Sequence, residues 1–367
     1  MGNLLSDIWS GLQQSLFPVL EQECGPLTET DQRFVQVLAV LGERFGALLV
    51  PYGYGGVGRR PDPRGPLARA FIAKSVYRLS THIGLIEALQ TQRFLRRTCG
   101  WDSPGEVPGE WTFSRAFAEF AQGQLPQALH AALIETHLKA HLLGHISRDS
   151  TAIAARETVR ETPAAATVPA KHKRGRPRKG EVRAARPLKR LELQPQRSLT
   201  ENLVELPRHC AWGCRRTTRG QNEFWKGYKL HLDVVDGEIP VSAVLTSASL
   251  HDSQVAIPLA QLSASRITVL YELMDSAYDA TPSKQFCQQL GHVPIIEPNP
   301  QRLNAVPLAP AEAARMKQRT ASERVHSQLK DNYGGRQIRV RGPTKVMCQL
   351  MFGLVALTAI QLLQRVL

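Results

Sequence analysis

"YKLHLDVVDGEIPVSAVLT" runs from Tyr228 to Thr246, and its pattern sets the fold class. Tyr228, Leu230, Leu232 and Val234 alternate with Lys229, His231 and Asp233, the two-residue period of a strand with one buried face. "VDGE" (235–238) supplies turn residues and "IPVSAVLT" (239–246) resumes an apolar strand, so the stretch predicts a β-hairpin. The polar alternates read as a solvated face on which Asp233 pairs with Lys229 and His231. Downstream, "RITVLYELMD" (266–275) is a mostly apolar strand ending in an acid, and "HVPIIEPNP" (292–300) is a short strand stopped by proline. A helical pattern covers 310–331 and returns at the C-terminus, where "VMCQLMFGLVALTAIQLL" (346–363) is nearly long enough to span a bilayer. Gln349 and Gln361 interrupt that run, so the expectation is a helix buried against a core, with no membrane role. Strands, helices and strands again predict an α/β domain with a mixed sheet flanked by helices.

Upstream the period changes. Residues 30–145 read as helical: "DQRFVQVLAVLGERF" (31–45) and "PLARAFIAKSVYRLSTHIGLIEALQ" (66–90) place apolar residues at three- and four-residue intervals. This predicts an all-α N-terminal domain over 1–140 and an α/β domain over 141–367. Short helices with Arg at their ends suit a helix-turn-helix-like DNA reader, and equally a plain helical bundle. After Glu157 the composition turns to Ala, Pro, Lys and Arg without apolar periodicity, so about 158–200 reads as an exposed, largely disordered basic linker.

The 367 residues, 43% of them apolar, suffice for one large or two medium cores. A formal charge of +14 favours a polyanionic partner: DNA, RNA or an anionic membrane. Six scattered cysteines do not resemble a small disulfide framework, which suits a reducing cytoplasm. The N-terminal stretch has no basic leader of the secretory kind, and its Met-Gly-x-x-x-Ser start matches only a loose myristoylation pattern.

Three acids stand where chemistry is expected. In "RTASERVHSQLK" (319–330), Arg319, Glu323, His326 and Lys330 share a helical arc of roughly 60°. One acid among cations suits a carboxylate that holds a metal beside a phosphate chain, although a solvated face with an Arg319–Glu323 pair gives the same pattern. Asp275 closes the strand "VLYELMD", and Asp149 follows the apolar stretch in "HLLGHISRDST". Acids at strand ends, joined by one from a helix packed on the sheet, would form a hard-oxygen site for magnesium or manganese. Asp233, Asp236 and Asp279 are rival acids, and His251-Asp252 either supports the site from a loop or caps a helix. Cys210-x3-Cys214 after His209 lacks the second pair that a zinc site needs. Trp225 and Tyr228 beside Lys226 and Lys229 suit base stacking, and suit core packing at a strand start better.

Together, "RDST" (148–151), "LMDSAYDA" (273–280), "RTASERVHSQLK" and the "GYKLHLDV…IPVSAVLTSASLHDS" strand pair resemble the insertion-sequence transposases of the DDE type. The resemblance spans roughly 140–367, with a weaker one over 60–140. It implies an RNase H-like catalytic fold in which the strands of Asp149 and Asp275 are neighbours. It also implies metal binding and catalysis by Asp149, Asp275 and Glu323, two Mg2+ ions (Mn2+ as substitute), and phosphate contacts by Arg319 and Lys330. The implied reaction is metal-dependent cleavage at element ends followed by strand transfer into target DNA, carried out by a homodimer on double-stranded DNA in the bacterial nucleoid. The branch with an Arg-x3-Glu-x6-Lys signature carries a Tyr that here is Met316, which puts strand handling in doubt. The rival readings are a transposase-derived DNA binder without activity and an RNase H-like nuclease. Within the linker, "KRGRPRKG" (173–180) resembles an AT-hook, in which Arg174, Arg176, Pro177, Arg178 and Lys179 would contact an A·T minor groove.

Overall fold

The computed structural model describes residues 2–53, 56, 61–159, 188–216, 220–298 and 306–365. The N-terminal region is all-helical: α1 (Gly2–Gly11), α2 (Phe17–Cys24), α3 (Glu29–Leu49), α4 (Arg64–Val76), α5 (His82–Thr91), α6 (Arg93–Cys99), α7 (Glu110–Gln122) and α8 (Leu125–His137). Thr28 caps α3 in a reciprocal box with Asp31. The mixed region follows: β1 (Leu142–Ala154), α9 (Arg190–Leu193), α10 (Leu199–Glu205), β2 (Ala211–Arg216), β3 (Asn222–Val235), β4 (Ile239–Ser247), α11 (Ala256–Ala264), β5 (Thr268–Met274), α12 (Thr281–Gln289), β6 (Val293–Ile296), α13 (Pro310–Met316), α14 (Thr320–Asn332) and α15 (Pro343–Gln364).

The hairpin expected at 228–246 is β3–β4, joined through Gly237 and Glu238, which both adopt positive φ. The sheet order is β2-β3-β1-β5-β6, with β4 also paired to β3. β1 runs antiparallel to β3 and parallel to β5, and β5 runs parallel to β6. This mixed sheet, with helices on both faces, is an α/β fold of the RNase H-like kind. β3 is shared: its C-terminal half pairs with β1 and β4, and its N-terminal half leaves them to pair with β2. Gly227 marks the departure, with φ 153°, and a Cβ there would stand 2.1 Å from the Ile153 carbonyl oxygen.

Two expectations are corrected here. The polar face of β3 is not solvated: His231 and Asp233 are fully buried. α11 packs on β3 and β4 and shuts water out of that face, so its polar groups find partners inside the protein. The basic stretch is also structured at its end. From Arg190 it forms α9, a 3-10 turn and α10, with Ser198 capping α10. Gln194 donates to the Gln254 carbonyl and Asn202 to Gln261, which pins the segment to the chain around α11. These polar anchors, to partners about sixty residues away, leave no apolar period to read.

α15 is apolar all round, as a helix enclosed by protein should be. It packs against α3, α4, α7, α8 and β4, so one apolar core runs from the N-terminal helices into the sheet. α3 and α15 are long and apolar enough to cross a membrane; 89% of the apolar window of α15 is buried in the fold.

Candidate active site

Successive residues of β1 point to opposite faces of the sheet, and this separates two polar systems. On the α11 side lies Arg148, fully buried. Its Nε and Nη2 donate to the two oxygens of Asp233 at 2.8 and 2.9 Å, and its Nη1 lies 2.8 Å from Glu272 Oε2. Glu272 meets His292 Nδ1 at 2.7 Å, and Asp233 accepts from Ser263 at 2.6 Å. Burial opposes every charge here, yet Arg148 and then His292 hold Glu272 well below the usual carboxylate range. This cluster was not expected from sequence. A buried arginine requires carboxylates around it, but only the register that sets Arg148 opposite Asp233 shows which ones.

On the other face, β1 meets α14 rung by rung. Ser147 donates to the Arg319 carbonyl at 2.6 Å, and its Oγ lies 2.9 Å from Ser322 Oγ. Asp149 Oδ2 lies 3.8 Å from His326 Nε2. Thr151 Oγ1 accepts from Lys330 Nζ at 2.6 Å. Two residues of strand rise about 6.7 Å and four of helix about 6.0 Å, so residues 147, 149 and 151 stay in step with 322, 326 and 330. The expected arc of Arg319, Glu323, His326 and Lys330 thus straddles the edge of this contact. His326 and Lys330 face the strand, while Glu323 stays half-exposed at the rim, 3.0 Å from Arg319 Nη2. Arg319 itself lies in the 3-10 turn before α14.

β1 and β5 are neighbours, with Arg148 beside Met274 in the parallel register. Asp149 and Asp275, each the next residue, therefore share the rim. Asp275 ends β5 and caps the following 3-10 turn, accepting from the Ala277 N–H at 3.0 Å. Burial pushes the Asp149 carboxyl up to about 7, and the nearby Asp275 and Glu323 carboxylates add to the rise. Asp275 is raised too, by burial first and then by Asp252 and Glu297, with Arg319 opposing. Glu297 follows β6 and was not singled out as a site residue.

The remaining candidates separate clearly. His251 caps the 3-10 turn at 252–255, and Asp252 lies 2.9 Å from Lys229 Nζ, within the field of Asp275. Asp236 binds His145 at 3.0 Å, and Asp279 binds Lys284 at 2.7 Å. Burial pushes His326 down to about 3, so its ring is neutral. Cys210 is buried and Cys214 is exposed on β2. Tyr228 is core, and Trp225 lies over Gly213. Arg174, Arg176, Pro177, Arg178 and Lys179 lie outside the described residues.

Among the described residues, no three His, Cys, Asp or Glu side chains converge closely enough to hold one ion. The donor chemistry still fits a hard divalent cation. Asp149 and Asp275 offer carboxylate oxygens side by side, and ionising both in a half-buried setting calls for a counter-cation. A family model described as a transposase DDE domain matches residues 201–359. Asp275 and Glu323 lie inside that match, and Asp149 lies before it. No curated protein and no solved structure matches the chain.

Proposed function

We propose that this chain is a DNA transposase of the DDE type, which cleaves at the ends of an insertion sequence and transfers the freed 3′-OH to target DNA. The observation that carries the reading is the β1–β5 register that sets Asp149 beside Asp275 at one rim of an RNase H-like sheet, with Glu323 on the helix packed along β1. The transposase domain match over 201–359 supports it. In this reading the three acids hold magnesium, or manganese in its place, as two ions. Such ions supply activation of the attacking oxygen and stabilisation of the leaving one. The chain's own residues do the rest. Asp149 gives up its proton to become a ligand, which its raised pKa makes easy only at neutral pH and above. The rungs between β1 and α14 fix Glu323 and Arg319 relative to Asp149. Arg319 exchanges Glu323 for phosphate, and Lys330 sits one rung further along the same track. The DNA is held throughout without a covalent link to the protein.

The partners are double-stranded DNA at the terminal inverted repeats and at the target, engaged by a homodimer in the cytoplasm. The basic segment at 173–180 adds minor-groove contact. Incubation with a duplex carrying the element's ends and Mg2+ should give cleaved and joined products. Asp275→Ala should abolish both and leave duplex binding within about twofold. Cleavage by that variant would overturn the metal assignment, and cleavage without joining in the unaltered protein would make it a nuclease.

A further inference from the structure

β2 is the outer strand at one end of the sheet, and it pairs with the N-terminal half of β3 to form a hairpin beyond Gly227. The register sets Trp212 opposite Lys226, Cys214 opposite Phe224 and Arg216 opposite Asn222, so these six side chains share one face. Trp225, Arg215 and Glu223 take the other face. There Trp225 lies against Gly213, its indole N–H donates to the Tyr228 carbonyl at 3.1 Å, and Arg215 binds Glu223 at 2.8 Å. That face is closed on itself. The first is open: Trp212 is 58% exposed and Phe224 64%. Single exposed apolar residues are ordinary on a protein surface. Two large rings on diagonal positions of one strand pair, about 7–8 Å apart, make a common surface.

The charge on that face selects what covers it. Arg216 and Lys226 stand at its two ends, and Glu223, the one acid between Ala211 and Gly227, is on the other face. A second copy laid on this face about a two-fold axis would bring the same cations and no acid, so a polyanion fits better. A duplex hides the faces of its bases in the stack, and aromatic rings left in water gain most from bases that are unpaired. The position along the sheet agrees. On β1, Asp149 is followed by the Thr151–Lys330 rung and then by Ala154, which sits opposite Gly227 at the root of the hairpin. Five strand residues span about 17 Å, so a nucleic-acid strand leaving the acid rim past Lys330 meets the hairpin within a few nucleotides. We propose that the Trp212–Phe224 face of the β2–β3 hairpin is a stacking surface for unpaired bases of single-stranded DNA, with Arg216 and Lys226 on the flanking phosphates. This assignment rests on the DNA-binding part of the transposase reading and not on its acids.

The test is fluorescence anisotropy of three labelled probes with the full chain in chelator: oligothymidylate, an abasic strand of the same length, and a blunt duplex. The unaltered protein binds oligothymidylate about tenfold or more tightly than the abasic strand. Trp212→Ala and Phe224→Ala each lose about tenfold on oligothymidylate, and with it the preference over the abasic strand. Their duplex affinity stays within about twofold and their unfolding midpoints do not move. Trp212→Phe keeps the preference. Should an alanine variant unfold, Trp212→Leu, apolar but without an aromatic face, repeats the comparison. Equal affinity for oligothymidylate and the abasic strand in the unaltered protein, beside normal duplex binding, overturns the stacking surface alone. So do alanine variants that retain the preference, and so does a dimer in sedimentation that they abolish with single-strand affinity unchanged. Failure of the unaltered protein to bind any of the three probes overturns the DNA reading and this assignment with it.

Discussion

Arg148 and Asp149 are adjacent in sequence and enter opposite environments. Arg148 is locked among Asp233 and Glu272, and replacing it would leave two buried carboxylates without their arginine, Glu272 with His292 and Asp233 with Ser263. Asp149 has the reverse character, a partly buried carboxyl with acids for neighbours. Its folded pKa of about 7 stands above the ordinary 3.8. As pH rises past 4 the unfolded chain loses this proton first, so the metal-free protein loses stability between about pH 4 and pH 7, and the loss is complete above that. Asp149→Asn removes the cost. In chelator, urea unfolding should find the variant more stable at pH 8 by on the order of 2 kcal/mol, with the gap closing near pH 4. A gap that ignores pH would contradict the assignment. Asp149 and Asp275 stood out in the sequence because each follows an apolar run, and Glu323 because it shares a helical face with three cations. Asp233 was misread because alternation tells which residues share a face, and not whether another element covers it.

At the scale of elements, the decisive contact is α14 along β1, and α15 holds α14 in place. Gly353 of α15 lies against the Tyr333 carbonyl and Leu329 of α14; a Cβ there would meet these atoms at 2.7 and 2.9 Å. The Tyr333 carbonyl is backbone and cannot yield without moving the end of α14. Gly353→Ala should therefore destabilise by roughly 1–3 kcal/mol. It should also lower cleavage more than duplex binding, since the Lys330 rung follows Leu329 directly. A chemical unfolding midpoint equal to that of the unaltered protein would show that the contact has slack. The helix at 310–331 was legible from its period, though it breaks at a 3-10 turn over Lys317–Arg319. Its alignment with β1 was not legible, because the match of strand and helix rise exists only once the two elements lie side by side.

The whole molecule is built around α15. The helix is buried against the N-terminal bundle on several sides and against β4 on another, so neither region encloses its core alone. Calorimetry should therefore give one unfolding transition, with calorimetric and van't Hoff enthalpies in agreement. Two resolved transitions would mean that the helical region and the sheet fold as separate units. The net charge of +14 acts at this scale as well. It draws the entire protein to polyanions, while the rim of acids stands out locally against that field.

The amino-acid sequence alone determined the classes of element, the hairpin at 228–246, the apolar character of the last helix, the basic balance and the acids most worth watching. All of these are local properties, fixed by side-chain period and composition. Tertiary structure decided that Asp233 is buried against Arg148, that Asp149 and Asp275 share a rim, and that Glu323 stands on the helix packed along β1. Each of these depends on strand register and on which helix covers which face, and pairings between residues 85 or more positions apart leave no periodic trace along the chain.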